Sequence, residues 1–158
     1  MNGKWVGAGI VISALVFGGV VYYTQMYGYY QPVPASADSA EIRLTSMMDG
    51  TPEVIETSNF EGIDADSSPL RFRGCFTTPL SLATATETYT VYEGATPLNG
   101  PGWFECYNAA QLGEDLQTGA AVAFLSEHQI SPGVDRVVAI YPDGRAFAWH
   151  QLNDTSEK

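Results

Sequence analysis

The chain has little of the chemistry on which most recognisable catalytic and metal sites depend. Its 158 residues include two cysteines and two histidines. The motifs C-x-x-C, H-E-x-x-H and G-x-S-x-G, the phosphate-binding loop and the dinucleotide fingerprint do not occur in it. Catalytic groups can still meet in space without a motif. The absences nevertheless favour a binding or structural role, so we expect neither an enzyme nor a cofactor.

Basic residues are also scarce. Seven lysines and arginines stand against eighteen aspartates and glutamates, which gives a formal net charge of −11. A surface of that sign repels nucleic acid and attracts basic partners through long-range steering. Ordinary solubility explains the same charge more simply. We expect no nucleic-acid partner, and we consider a basic c-type cytochrome as a hypothetical partner.

Long hydrophobic runs are missing except for the stretch from Trp5 to Tyr23, WVGAGIVISALVFGGVVYY. About 20 apolar residues cross a hydrocarbon core of about 30 Å as a helix. The stretch predicts a transmembrane signal-anchor helix within residues 1–25. It contains no Asp, Glu, His, Lys or Arg, so it suits neither a proton path nor an ion site.

The flanks of this stretch predict its orientation. Lys4 and the amino terminus are the basic groups next to it, so the positive-inside rule places the N-terminus in the cytoplasm and the residues from 26 onward in the periplasm. A cleaved signal peptide is the alternative, because Ala35-Ser36-Ala37 has the small-x-small form of a cleavage site. The apolar run is longer than that of a signal peptide and ends far before this site, which favours an uncleaved anchor.

One face of the predicted anchor carries small residues. Gly7, Ala14 and Gly18 fall on it together with Gly3, and the spacing fits the small-xxx-small pattern that lets two membrane helices approach closely. Membrane helices are rich in glycine in any case. We predict that Gly7, Ala14 and Gly18 dock the helix against another.

The remainder is predicted to be a linker followed by one folded domain. Residues 26–40 are rich in Tyr, Pro and Ala, and residues 41–158 form an α+β periplasmic domain with a mostly antiparallel sheet and one short helix. Residues 49–69 are interpreted as an acidic, solvated loop. Alternating or apolar runs predict strands at residues 41–44, 70–77, 88–93, 120–125, 135–141 and 145–152.

Two local signals in this domain are strong. Pro142-Asp143-Gly144 lies between two apolar runs and predicts a hairpin. Asn108 is a good N-cap for a short helix that Gly119 ends. On the last strand, alternation predicts that Trp149 is buried and that His150 is exposed.

The two cysteines predict one disulfide, Cys75–Cys106, because an even number in an oxidising compartment favours a bridge. Binding of copper is the alternative. The sulfur and imidazole ligands for it would come from Cys75, Cys106 and His150, with His128 and Met47 or Met48 as further candidates. These residues form no local motif, so no metal site is predicted.

Several segments resemble a known family. They are MNGKWVGAGIVISALV at the start, LRFRGCFTTPL and GPGWFECY around the cysteines, and GVDRVVAIYPDGRAFAWHQL near the end. They resemble an uncharacterised family, a domain of unknown function, of single-span membrane proteins in Rhodobacter-type alphaproteobacteria. The resemblance implies the bacterial inner membrane and the periplasm, and it implies no catalytic residues. It makes a respiratory or photosynthetic complex a natural host.

The leading hypothesis is therefore a non-catalytic accessory subunit or assembly factor of an energy-transducing inner-membrane complex. The alternative is a membrane-anchored periplasmic copper chaperone or binding module, which requires Cys75 and Cys106 as thiols because the thiolate is the metal ligand.

Overall fold

The computed structural model describes residues 2–154. The chain divides into two compact units, Met1–Tyr30 and Gln31–Lys158. The boundaries predicted at residue 25, between anchor and linker, and at residue 40, between linker and folded domain, stay a prediction. A two-residue strand, Gln31–Pro32, falls inside the range that was expected to be a linker.

The first unit is one continuous helical segment. Helix α1 spans Gly3–Tyr23, and a π-helical turn follows at Thr24–Gly28. None of the residues of α1 is buried. The segment is long and apolar enough to cross a membrane, and an N-terminal signal sequence satisfies the same criteria.

The second unit is built on a six-stranded antiparallel sheet. Its strand order is β1-β4-β5-β8-β7-β6, and β2 pairs with β3 in a separate hairpin. The strands are β1 Gln31–Pro32, β2 Arg43–Thr45, β3 Pro52–Val54, β4 Ser58–Asp64, β5 Arg73–Thr77, β6 Val122–Ser131, β7 Val134–Ile140 and β8 Arg145–Leu152. Two short helices, α2 Leu82–Thr88 and α3 Ala109–Thr118, complete the α+β fold.

The core lies against the middle of this sheet. β8 pairs with β5 on one side and with β7 on the other. Ala146 and Ala148 of β8 join Leu44, Phe72 and Phe124 in one cluster of fully buried side chains. Small residues on the central strand leave room for these large neighbours, since a protein interior is close-packed.

The strongest local signals are confirmed. β7 and β8 form the predicted hairpin, and Gly144 occupies the turn at φ 91°. The Asn108 side chain accepts a hydrogen bond from the Gln111 backbone at the start of α3, and Gly119 ends that helix at φ 79°. Trp149 is fully buried, as predicted.

The interpretation of residues 49–69 as a solvated loop is wrong, because β3 and β4 lie within it. In β4, the pairing register shifts between Ser58 and Glu61, which disrupts the alternation that would have revealed a strand. Gly62 and Gly74 face each other across β4 and β5. The ring of Phe60 lies over both glycines, where an added Cβ would meet it within 3.2 Å.

The strand predicted at residues 88–93 is also wrong. The preceding residues form α2, which the Ser81 side chain caps by accepting a hydrogen bond from Thr84. Tyr89 and Val91 make isolated bridges to Ser46 and Phe124. The domain therefore has two short helices where one was expected.

Candidate functional site

The predicted docking residues of α1 face open space. An added Cβ at Gly7 or at Gly18 meets no atom within 4 Å, so nothing in this chain requires glycine at either position. The docking role of Gly7, Ala14 and Gly18 stays a prediction.

Cys75 and Cys106 form a disulfide, with their Cα atoms 6.3 Å apart. The bridge joins β5 to the segment before α3. Each sulfur is bonded to the other, so neither is available here as the thiolate that copper would require.

The candidate copper ligands do not come together. Both ring nitrogens of His150 are engaged, Nδ1 with the Pro69 carbonyl oxygen at 2.7 Å and Nε2 with the Arg136 guanidinium at 3.0 Å. Across residues 2–154, no group of three or more His, Cys, Asp or Glu side chains is placed to hold a metal ion.

The expectation that His150 is exposed is wrong, since the residue is 6% exposed. β8 is central in the sheet and is covered on both faces, so alternation along it does not distinguish a solvent-exposed face from a buried one. His150 stacks on Phe72 with the ring centroids 4.8 Å apart. Burial and the charge of Arg136 lower the pKa of His150 to about 4, which keeps the ring neutral near pH 7.

Sequence reasoning missed a polar cluster around Asp135, which we call the Asp135 cluster. The buried Asp135 carboxylate accepts hydrogen bonds from the Tyr92 hydroxyl at 3.0 Å, the Gln129 backbone N–H at 2.9 Å and the Asn153 amide at 2.8 Å. Nδ1 of His128 lies 2.9 Å from Oδ1 of the same carboxylate. Several donors converge on one buried acid, as an ionised carboxylate requires.

A cavity of about 830 Å³ opens beside this cluster. Its lining combines polar and apolar residues from the segment before β5, the segment after α2, β6, β7, and the end of β8 with the two residues that follow it. They are Leu70, Tyr92, Glu93, Gly94, Thr96, Leu98, His128, Asp135, Gln151, Leu152, Asn153 and Asp154. A concave, largely apolar site with a few convergent polar groups is the usual form of a ligand site.

Comparison with known protein families identifies the family of the folded domain. A protein-family model described as a family of unknown function (DUF6446) matches residues 42–158. The chain belongs to this family. The match covers the folded domain from just before β2 onward, and it does not extend to α1. No curated protein and no solved structure matches the chain.

An irregular stretch of β6 places His128 within this DUF6446 domain. The pairing of β6 with β7 shifts register between Leu125 and Glu127 and again between Glu127 and Ser131. Gln129 adopts a left-handed φ of 54°, and its side chain accepts a hydrogen bond from the Gly133 backbone at 2.7 Å. Bulges redirect side chains. This one brings the His128 ring and the Gln129 N–H to the same carboxylate.

Gln151, the cross-strand partner of Asp135 on β8, also lines the cavity. Its side-chain oxygen accepts hydrogen bonds from the Thr96 backbone at 2.8 Å and from the Trp149 indole at 3.0 Å. Its amide donates to the Gly94 carbonyl oxygen at 3.3 Å. The 94–96 loop of the DUF6446 domain is thereby fixed to β8. The signal for this site in the sequence is Asp135, an acid near the start of a strand that is apolar except for Asp135 and Arg136.

Proposed function

We propose that this protein is a non-catalytic accessory subunit or assembly factor of an energy-transducing complex, respiratory or photosynthetic, in the bacterial inner membrane. α1 acts as a single-pass anchor with its N-terminus in the cytoplasm, and the folded domain lies in the periplasm. The observation that carries the proposal is α1 itself, which is 21 residues long with no buried residue. Within a membrane such a helix needs only lipid or another helix around it.

The small residues of α1 support docking to a partner helix. Successive residues of a helix are about 100° apart, so Gly7, Ala14 and Gly18 share one face while Gly9 lies on the opposite face. Neither Gly7 nor Gly9 has an atom of this chain near the position of an added Cβ. If small side chains prove necessary on the face of Gly7 but not on the face of Gly9, the cause must be a partner helix outside this chain.

The charge of the folded domain supports a basic partner. Arg43 is paired with Glu41 and Glu127, and Arg145 is paired with Asp143 at 2.7 Å. These pairs neutralise cations within the domain, while the sequence as a whole keeps a large excess of carboxylates. Such a surface steers a basic electron carrier, for example a c-type cytochrome, and its effect on association falls as salt rises.

The test is a pull-down of the tagged full-length protein in mild detergent, with every retained protein identified. We expect stoichiometric recovery of subunits of one respiratory or photosynthetic complex. Replacing Gly7, Ala14 and Gly18 together by leucine is expected to abolish that recovery, because bulky side chains prevent close helix approach. Gly9→Leu is the matched control and is expected to leave recovery unchanged.

Recovery of the protein alone, or only with itself, would contradict the proposal. The thiol state and metal content of the purified protein would then be the next measurement, because copper transfer would require Cys75 and Cys106 in the reduced form. Equal loss with Gly9→Leu would contradict the docking role of Gly7, Ala14 and Gly18, because it would show that any added bulk disturbs the helix.

A further inference from the structure

The two histidines of the chain are held alike at one ring nitrogen and differ at the other. In His150, Nδ1 lies 2.7 Å from a backbone carbonyl oxygen, which accepts hydrogen bonds but cannot donate one. In His128, Nδ1 lies 2.9 Å from the Asp135 carboxylate. Both rings, when neutral, therefore carry the proton on Nδ1 and present a lone pair at Nε2.

The two Nε2 atoms have different surroundings. That of His150 accepts a hydrogen bond from the guanidinium Nε of Arg136 at 3.0 Å. Nε2 of His128 has no hydrogen-bond partner within residues 2–154, and the His128 side chain, which lines the cavity, is 57% exposed. His128 thus repeats the arrangement of His150 without a guanidinium.

Asp135 gives Nδ1 of His128 a charged hydrogen-bond acceptor, whereas Nδ1 of His150 faces a neutral carbonyl group. A charge-assisted hydrogen bond is stronger than a neutral one, so this contact holds the ring in position. The Gln129, Tyr92 and Asn153 donors hold that carboxylate in place. Nε2 of His128 is therefore fixed in tautomer, and an N–H donor can reach it from the cavity.

The cavity walls indicate the charge and shape of the ligand. Glu93 and Asp154 line it as exposed acids, and the described lining residues include no lysine or arginine. Leu70, Leu98 and Leu152 supply apolar surface beside them. Acceptors and negative charge next to apolar walls suit a cationic N–H donor on an apolar stem.

We propose that the cavity beside His128 binds a guanidinium or protonated amine carried on an apolar stem, with Nε2 of His128 accepting one of its N–H groups. Glu93 and Asp154 balance the charge of the ligand, and the leucines cover its stem. The site lies entirely within the folded domain, so this proposal does not depend on whether α1 docks to a complex.

The test is titration of the full-length protein in nonionic detergent at pH 8 with n-butylguanidinium chloride. The His128 ring nitrogens are followed by long-range ¹H–¹⁵N NMR, and the affinity is measured by calorimetry. We expect saturable one-to-one binding with a shift at Nε2. Uncharged n-butylurea is expected to bind at least tenfold more weakly.

His128→Phe is expected to lower the affinity for n-butylguanidinium at least tenfold while the domain stays folded, because the side chain is exposed. Glu93→Gln is a second, independent variant and is expected to weaken binding by a smaller factor. Glu87→Gln removes one exposed charge on α2, outside the cavity, and is expected to have no effect. Unchanged affinity in His128→Phe, equal binding of n-butylurea, or equal loss with Glu87→Gln would overturn the proposal.

A second titration identifies the source of the ligand group. Displacement of n-butylguanidinium by acetyl-Gly-Gly-Arg-Gly amide would support the proposal with an arginine side chain of a protein as the ligand. Binding of n-butylguanidinium without displacement by the peptide would support it with a small free cation as the ligand. The pull-down measures recovery of membrane-complex subunits, whereas the titrations measure cation binding. Failure of the proposed function and failure of the cation site can therefore be told apart.

Discussion

Tyr107 and Tyr141 differ in what their hydroxyl groups contact, although both are buried. The Tyr141 hydroxyl donates to the Asp115 carboxylate at 2.6 Å. The Tyr107 hydroxyl is buried and has no hydrogen-bond partner within residues 2–154, and the ring packs edge-on against Phe147. An unsatisfied buried hydroxyl costs about 1–3 kcal/mol, whereas a satisfied one contributes about 1 kcal/mol.

Tyr107→Phe is therefore expected to raise the free energy of unfolding by about 1 kcal/mol. Tyr141→Phe removes a hydroxyl that has a hydrogen-bond partner, and it is expected to lower the free energy of unfolding by about 1 kcal/mol. Urea unfolding followed by near-ultraviolet circular dichroism measures both. Destabilisation by Tyr107→Phe as large as that by Tyr141→Phe would show that the Tyr107 hydroxyl is satisfied in solution.

His150 makes the stability of the folded domain depend on pH. Its pKa is lowered from an ordinary value of 6.5 to about 4 by burial and by the charge of Arg136. Above pH 6.5 the ring is neutral in both the folded and the unfolded chain. Between pH 6.5 and pH 4 the unfolded chain binds a proton at His150 that the folded chain does not bind. The free energy of unfolding therefore falls by about 3 kcal/mol as the pH decreases across that window.

His150→Gln is expected to flatten this part of the pH profile, because glutamine keeps an acceptor for Arg136 and does not titrate. The measurement is the free energy of unfolding at pH 7, 5.5 and 4 for the two proteins. The difference between the profiles removes the contribution of the carboxylates, which both proteins share. Parallel profiles would contradict a neutral, buried His150.

At the scale of elements, the disulfide constrains the least regular part of the domain. It closes a loop with a sequence separation of 31 residues, which contains α2 and the glycine- and proline-rich segment before α3. Replacing both Cys75 and Cys106 by serine is expected to lower the free energy of unfolding by about 3 kcal/mol, largely because the unfolded chain gains freedom.

Urea unfolding of the double variant against the unchanged protein measures this loss. Reduction of the unchanged protein by dithiothreitol is the control and should give a similar loss. If the variant were as stable as the oxidised protein, the bridge would not contribute to stability.

The elements that could be predicted from sequence are those whose signals are local. The β7–β8 hairpin has its turn residues between two apolar runs, and α3 has Asn108 at one end and Gly119 at the other. β4 could not be predicted, because its pairing with β5 is irregular and because its Gly62 makes room for the ring of Phe60, which lies across Gly62 and Gly74. That packing exists only once β4 and β5 have paired.

The candidate site was unpredictable for a similar reason. His128 and Asp135 are seven residues apart in sequence, yet their contact depends on the bulged register of β6 and on the β6–β7 turn. Tyr92 and Asn153 reach the same carboxylate from distant parts of the chain. The burial of His150 likewise follows from the central position of β8 in the sheet, which period-two alternation does not reveal.

At the scale of the whole molecule, positive and negative charge are distributed differently. Arg73 and Arg136 are each 3% exposed. Arg73 donates to backbone carbonyl oxygens at Leu70, Phe72, Leu98 and Asn99, and so fastens the segment before α3 to the sheet. Arg73 thus supports the fold through its backbone contacts, while the sequence as a whole keeps a formal net charge of −11.

The short strand β1 has a consequence for how copies of the protein behave when they are crowded together. An open sheet edge invites another copy to add a strand, which is a route to aggregation. Here β1 ends in Pro32, and the part of β4 beyond it bulges at Asn59. At the other edge, the backbone of Thr90 and Tyr92 bonds to β6 and covers part of it. The sheet therefore resists edge-to-edge polymerisation.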